Sequence, residues 1–364
     1  MLIPLLAAVL ALMVAAIALP KAVTMAPLFW THLAVAVGIM TLITAAMQHF
    51  VPVLTRSRGA SRWLARLPGL MLAAGLLACA VFAGWLDYDF VTVAAGLGLI
   101  GAVIMLLWMR AKGRASLGRP HPGLDWYLAA MVCLALGLAA AASIPWLPEW
   151  HGPLRAFHSH INLYGFIGLT AIGTLQVLMP TVAGQADPEA AARLRLDLKW
   201  ALAGSVLLAL GEAGVPFAVW PGLAAWAWPL LKMALAWWRL HRARLFALHG
   251  SEPVLFAALL GFALALAGTQ LDLEYPLTVF LPGFLFPLVA GAAGQLAPVW
   301  ARPGVATPWH DQSRRFLGRY AGIRAILFLA SALLPVLGYK CSGMPGLTAL
   351  FWFLILFAVW LWRD

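Results

Sequence analysis

Apolar residues run along this chain in long blocks broken by short polar connections. The blocks last about 20 residues or more and lack the in–out alternation of barrel strands, so they predict helices that cross a bilayer. Twelve such segments are expected, at about 3–19, 28–51, 65–86, 90–109, 125–145, 157–180, 199–218, 221–240, 253–270, 276–299, 319–338 and 345–362. The connections are too short for a soluble domain. The expected fold is an all-α integral membrane protein, one polytopic domain over residues 1–364.

Composition agrees: 63% of residues are hydrophobic, only 10% are charged and 18 are Trp. The formal charge of +11 would suit a nucleic-acid partner, but its distribution argues against one. Arg56, Arg58, Arg62 and Arg66 follow the second segment, and Arg110, Lys112, Arg114 and Arg119 the fourth. Arg193, Arg195 and Lys199 follow the sixth, Arg239, Arg242 and Arg244 the eighth, and Arg302, Arg314, Arg315 and Arg319 the tenth. The alternate loops hold only Lys21, Arg155 and Lys340, with Asp87, Asp89, Glu149, Glu212, Asp272 and Glu274. This is the positive-inside pattern. It predicts a multi-pass protein of a bacterial-type inner membrane with both termini cytoplasmic, and no nucleic-acid partner. The first segment lacks a basic stretch before it and reads as a membrane helix, not a signal peptide. Cys79, Cys133 and Cys341 fit no ligand or disulfide motif.

Ionisable residues inside spans are costly and mark function. The sixth segment opens with His158 and His160, about 200° apart around a helix, and the second carries His32. At an offset of 128, His32 falls on His160, Gln48 on Gln176 and Pro52 on Pro180. At an offset of 118, Gly283, Phe284, Gly291 and Pro298 of the tenth segment fall on Gly165, Phe166, Gly173 and Pro180, with Thr278 at the histidine position. Segments two, six and ten therefore read as equivalents in three four-helix units, a pseudo-threefold plan. The three histidines lie at one depth near the outer face.

The stretch His158-x-His160, Gly165, Phe166, Gly168, Gly173, Pro180 resembles the tenth helix of the haem–copper oxidase catalytic subunit. The likeness is nearest to cbb-type cytochrome oxidases and nitric oxide reductases, and twelve helices in three arcs is that subunit's plan. The resemblance implies that His160 and His32 are the axial ligands of a low-spin haem b, and that His158 is a ligand of a second centre, a high-spin haem. That family's copper needs three further histidines. Here segments seven to twelve have histidine only at cytoplasmic ends, and the paired histidines stand on helix six rather than ten. The expectation is a divergent member with no copper, acting in electron transfer or in binding a diatomic gas such as NO or O2. Its redox partner would be a cytochrome c, a cupredoxin or a quinol, with room for a companion subunit. Metal transport, copper above all, and a cofactor-free assembly role are the alternatives.

Gly165 and Asn162, about 20° and 40° from His158 around an α-helix, would leave a flat floor for a porphyrin. Arg155 is the nearby arginine for its propionates. Trp30 and Trp150 read as interfacial belt residues. His49, about 25 Å from His32 along a helix, reads as interfacial. Lys232 can snorkel or feed protons. His241, His249 and His310 lie in basic loops and are expected to meet solvent or headgroups.

Overall fold

Each apolar block becomes a helix. The computed structural model describes residues 2–21, 23–269, 277–339 and 343–363, and no strand occurs among them. In chain order the helices are α1 (Leu2–Ala18), α2 (Pro27–Leu54), α3 (Leu64–Phe82), α4 (Phe90–Arg114), α5 (Gly123–Trp146), α6 (Pro148–Ala183) and α7 (Ala190–Glu212). There follow α8 (Val219–Leu245), α9 (Glu252–Gly268), α10 (Phe280–Ala301), α11 (Pro308–Leu317), α12 (Ala321–Val336) and α13 (Gly343–Arg363). A single turn, Leu277–Val279, leads into α10. Asp272, Glu274, Lys340 and Cys341 lie outside the described residues.

Seven of these helices, α2 to α6, α10 and α13, are long and apolar enough to cross a bilayer. The pair α11 and α12, bent by 42°, would make an eighth. Twelve crossings were expected from the blocks. The difference has physical causes. Helices α1 and α9 have 17 residues each, a rise of about 26 Å, slightly under a hydrocarbon core of about 30 Å. Helices α7 and α8 are longer, but α7 carries Arg193, Arg195, Asp197 and Lys199, and the apolar part of α8 is diluted by Lys232 and by Trp, Pro and Gly. Several apolar helices of this kind suit a bilayer and a multi-pass protein.

The chain divides into two compact units. One comprises Pro20–Gln176 and Pro188–Pro229, the other Met1–Leu19, Val177–Asp187 and Leu230–Asp364. In the first, α4 lies between α3 and α5, α3 against α2, and α6 between α5 and α7. The Trp126 indole N–H donates to the Leu194 carbonyl (2.8 Å), tying α5 to α7. In the second, α12 lies between α9 and α13, and α9 and α1 both pack on α10.

Three helices depart from α geometry in the same way. Residues Leu33–Met40 of α2, Ile161–Gly168 of α6 and Phe280–Leu285 of α10 are π-helical. The first two stretches coincide at the offset of 128 found from His, Gln and Pro, and the third falls within the second at the offset of 118. Such stretches are rare and gather at functional sites. The ends of α2 and α6 match as well. Ser57 N–H donates to the Pro52 carbonyl (2.9 Å) and Gln185 N–H to that of Pro180 (3.2 Å). The residue before each donor is left-handed, Arg56 at φ 49° and Gly184 at φ 62°. This is the C-terminal cap that usually takes glycine, and α2 makes it with arginine.

Helix α5 begins with a histidine cap. Nδ1 of His121 accepts the Gly123 backbone N–H at 3.1 Å, which requires an unprotonated nitrogen. Burial, and then the charge of Arg195, hold this imidazole below its ordinary 6.5. The neutral form is favoured in the fold, so its contribution is present above 6.5 and is lost as pH falls through the lowered value. The thermal midpoint should drop on acidification through that window, and His121→Asn, which keeps an acceptor that does not titrate there, should remove this part of the drop. Identical pH profiles for the two proteins would refute the cap.

Candidate functional site

The three expected histidines all stand where an α-helical turn gives way to a π stretch. His32 ends Pro27–His32, and His158 and His160 occupy the last turn of His151–His160. Each ring is held by its Nδ1. His32 Nδ1 bonds the Leu28 carbonyl at 2.8 Å, His158 Nδ1 the Gly137 carbonyl at 2.8 Å, and His160 Nδ1 the Ala156 carbonyl at 2.9 Å. A carbonyl only accepts, so in a neutral ring Nδ1 carries the hydrogen and Nε2 keeps its lone pair. That is the tautomer of a metal-ligating histidine.

The sequence reading paired His32 with His160. The ring that lies beside His32 is that of His158: their centroids are 6.5 Å apart and their planes 8° from parallel. Phe82 of α3 covers His32 at 4.4 Å. The ring beside His160 belongs to Tyr164, at 6.0 Å. His158 and His160 do face different ways, as two residues on one turn must. What spacing could not supply was which neighbouring helix each one meets.

Asn162 and Gly165 serve contacts other than those expected. The Asn162 amide donates to the His158 carbonyl (2.7 Å), and its Oδ1 is buried without a hydrogen-bond partner. Asn162 presses on Gly137, the residue whose carbonyl holds His158. Gly165 faces Cys133 of α5, whose Cβ and Sγ would lie 2.8 Å from an added Cβ. Its bareness lets helices approach and leaves no open floor there. The cause is the π stretch: i→i+5 bonding turns each residue through less than the 100° of an α-helix, so faces counted in α-helical steps drift from Ile161 onward. The Tyr164 carbonyl within this stretch takes the Ser205 hydroxyl of α7 (3.0 Å), and Ser205 in turn accepts the Trp226 indole N–H (3.1 Å).

Arg155 is exposed. It acts on Tyr88 in the loop after α3, whose phenol is pushed up by burial and drawn down by the Arg155 charge. Trp150 is exposed, as a belt residue should be, but Trp30 is only 8% exposed and stacks edge-on with Phe29 at 5.0 Å. The belt reading therefore does not hold for Trp30. His241 and His310, expected in solvent, are buried. His310 bonds Thr307 and the Arg302 carbonyl (2.8 Å) and so caps α11. His249 is exposed beside Tyr320. His49 lies against Phe50, Lys232 is part-exposed, and Glu212 is within electrostatic reach of Tyr164. Cys79 and Cys133 are buried free thiols. Phe82, Gly137 and Cys133 were not singled out as site residues, because a Phe, a Gly and a Cys in apolar helices carry no signal of their own.

Among the described residues no three His, Cys, Asp or Glu side chains gather into a group that could hold a metal ion. No family model matches the chain, and no curated protein or solved structure matches it either.

Proposed function

We propose that this is a haem b-binding membrane protein that carries electrons, related to the haem–copper oxidase catalytic subunit, with His32 and His158 as its axial pair. The reading rests on one observation: two parallel imidazoles 6.5 Å apart, each with Nδ1 occupied by a carbonyl. The donor set is the one an iron would need: two imidazoles whose Nδ1 atoms are taken by carbonyls, leaving each Nε2 lone pair to hold the metal. A bis-histidine haem, when bound, supplies one-electron redox chemistry and leaves no coordination position for a gas. The chain's part is to hold each imidazole by a backbone carbonyl and to cover His32 with Phe82. A cytochrome c, a cupredoxin or a quinol is the proposed exchange partner.

The π stretches repeated in α2, α6 and α10 support three equivalent units and, with them, the twelve-span plan. The basic loops support an inner-membrane protein with both termini in the cytoplasm. A cysteine placed at Glu149 should then react with an impermeant reagent from outside intact cells. Labelling only after the cells are opened would invert this topology.

The direct test of the cofactor is a pyridine haemochrome assay on protein purified from haem-replete cells, with a b-type spectrum expected. A colourless, well-folded protein would remove haem from the proposal.

A further inference from the structure

Far along the chain from the histidine pair, the second unit holds a half-open cavity of about 600 Å³ whose polar wall includes four arginines. Two loops build it. Gly250 N–H donates to the Gly318 carbonyl (3.0 Å), and Gly322 N–H to that of Leu248 (3.1 Å). Tyr320 N–H donates to His249 Nδ1 (3.1 Å). Gly250 and Gly318 touch so closely that a Cβ on Gly318 would stand 3.1 Å from Gly250 backbone atoms. The loop that ends α8 is thus stitched to the loop that opens α12.

Arg244, Arg314, Arg315 and Arg319 line the cavity, opposed by Glu252 and Asp311. Arg244 pairs with Glu252 and Arg314 with Asp311, each at 3.4 Å. No carboxylate pairs with Arg315 or Arg319 among the described residues, and both are exposed. The cavity therefore keeps two positive charges to spare.

Its depth in the membrane follows from α11. This ten-residue helix, PWHDQSRRFL, is strongly amphipathic and supplies three of the lining residues. Its aromatic side is braced by cations: Arg302 lies 4.1 Å from the Trp309 ring centroid, and Arg363 lies 5.0 Å from that of Phe316. A short amphipathic helix with Trp on one side and arginine on the other belongs at the bilayer–water boundary, where lipid phosphates lie. Size selects among anions. A bare phosphate is only a few times a water's share of about 30 Å³, whereas this cavity falls in the range of about 300–1,000 Å³ that holds whole small molecules.

We infer that this cavity binds the phosphate of an anionic lipid headgroup, with Arg315 and Arg319, which have no carboxylate partner among the described residues, as its cationic contacts. The site is independent of the haem reading, and either can fail alone.

The test is the thermal midpoint of the detergent-solubilised protein, titrated with dioleoyl phosphatidylglycerol, with dioleoyl phosphatidylcholine and with inorganic phosphate. Phosphatidylglycerol should raise the midpoint, while phosphatidylcholine and millimolar phosphate should not. One basic side chain near a charged surface is worth about fivefold in affinity. Arg315→Gln/Arg319→Gln should therefore need about 25-fold more phosphatidylglycerol for half the shift. Arg315→Lys/Arg319→Lys should keep most of the effect, and Arg58→Gln/Arg62→Gln, in a different basic loop, should behave as wild type. No shift with phosphatidylglycerol, an equal shift with phosphatidylcholine, or an unaltered response of the Gln variant overturns the site. An equal shift with inorganic phosphate overturns the lipid and leaves a free-anion site.

Discussion

His32→Ala and His158→Ala should each abolish the reduced low-spin b-type α band, and His160→Ala should leave it intact. The reason is geometric. Of the three histidines, His32 and His158 stand nearly parallel with ring centroids 6.5 Å apart, while the ring beside His160 is that of Tyr164. Removing one imidazole of a pair leaves iron with a single protein ligand, so loss of the low-spin signal should be complete in either variant. His49→Ala, about 25 Å away along its helix, should change nothing. Carbon monoxide should not perturb the reduced wild-type spectrum, because both axial positions are filled, and it should perturb any haem that a single-alanine variant retains. If His160 proves essential and His158 dispensable, the pair expected from the resemblance is right and the pair proposed on geometry is wrong. If all three are dispensable, haem ligation by this site is refuted.

The second large effect concerns glycines that face the π stretches. A Cβ on Gly75 of α3 would stand 2.8 Å from backbone atoms of Ala36 and Val37, inside the first stretch. On Gly261 of α9 it would run into the Gly283 carbonyl, inside the third. Backbone cannot swing aside as a side chain can, so Gly75→Ala and Gly261→Ala should destabilise by about 1–3 kcal/mol, the usual cost of overpacking. Gly96→Ala in α4 is the control. Nothing lies within 4 Å of its added methyl, so helix propensity alone should apply and stabilise by about 1 kcal/mol or less. Opposite signs are expected in one thermal-denaturation series. Equal, small effects at all three positions would mean that these close approaches do not bear on stability.

The helices were legible because each apolar block is long, and apolarity over 17 residues or more has few outcomes besides a helix in lipid. The correspondence between α2 and α6 was legible because His, Gln and Pro are rare in such blocks. The π stretches were not, since nothing in LAVAVGIM or INLYGFIG distinguishes i→i+5 from i→i+4 bonding. Nor was the left-handed Arg56, because only a glycine there would have announced it. At the site, the rarity of histidine inside apolar blocks was readable. The pairing was not, because it depends on which helices are neighbours, and on a helical register that the π stretches shift. His241 and His310 were misplaced for a simpler reason: flanking arginines suggest solvent even where the helix turns the ring itself inward.

The π stretches also bear on how the chain tolerates a change of length. A widened turn is what an α-helix becomes when it absorbs one extra residue while both ends stay anchored. Leu33–Met40, Ile161–Gly168 and Phe280–Leu285 are therefore three places where a single residue is surplus to the crossing. Deleting one residue elsewhere in α2 would rotate everything beyond it by about 100°, turning buried side chains toward lipid. Deleting one inside Leu33–Met40 would let the widened turn relax to an ordinary one and leave both flanks facing as they do now.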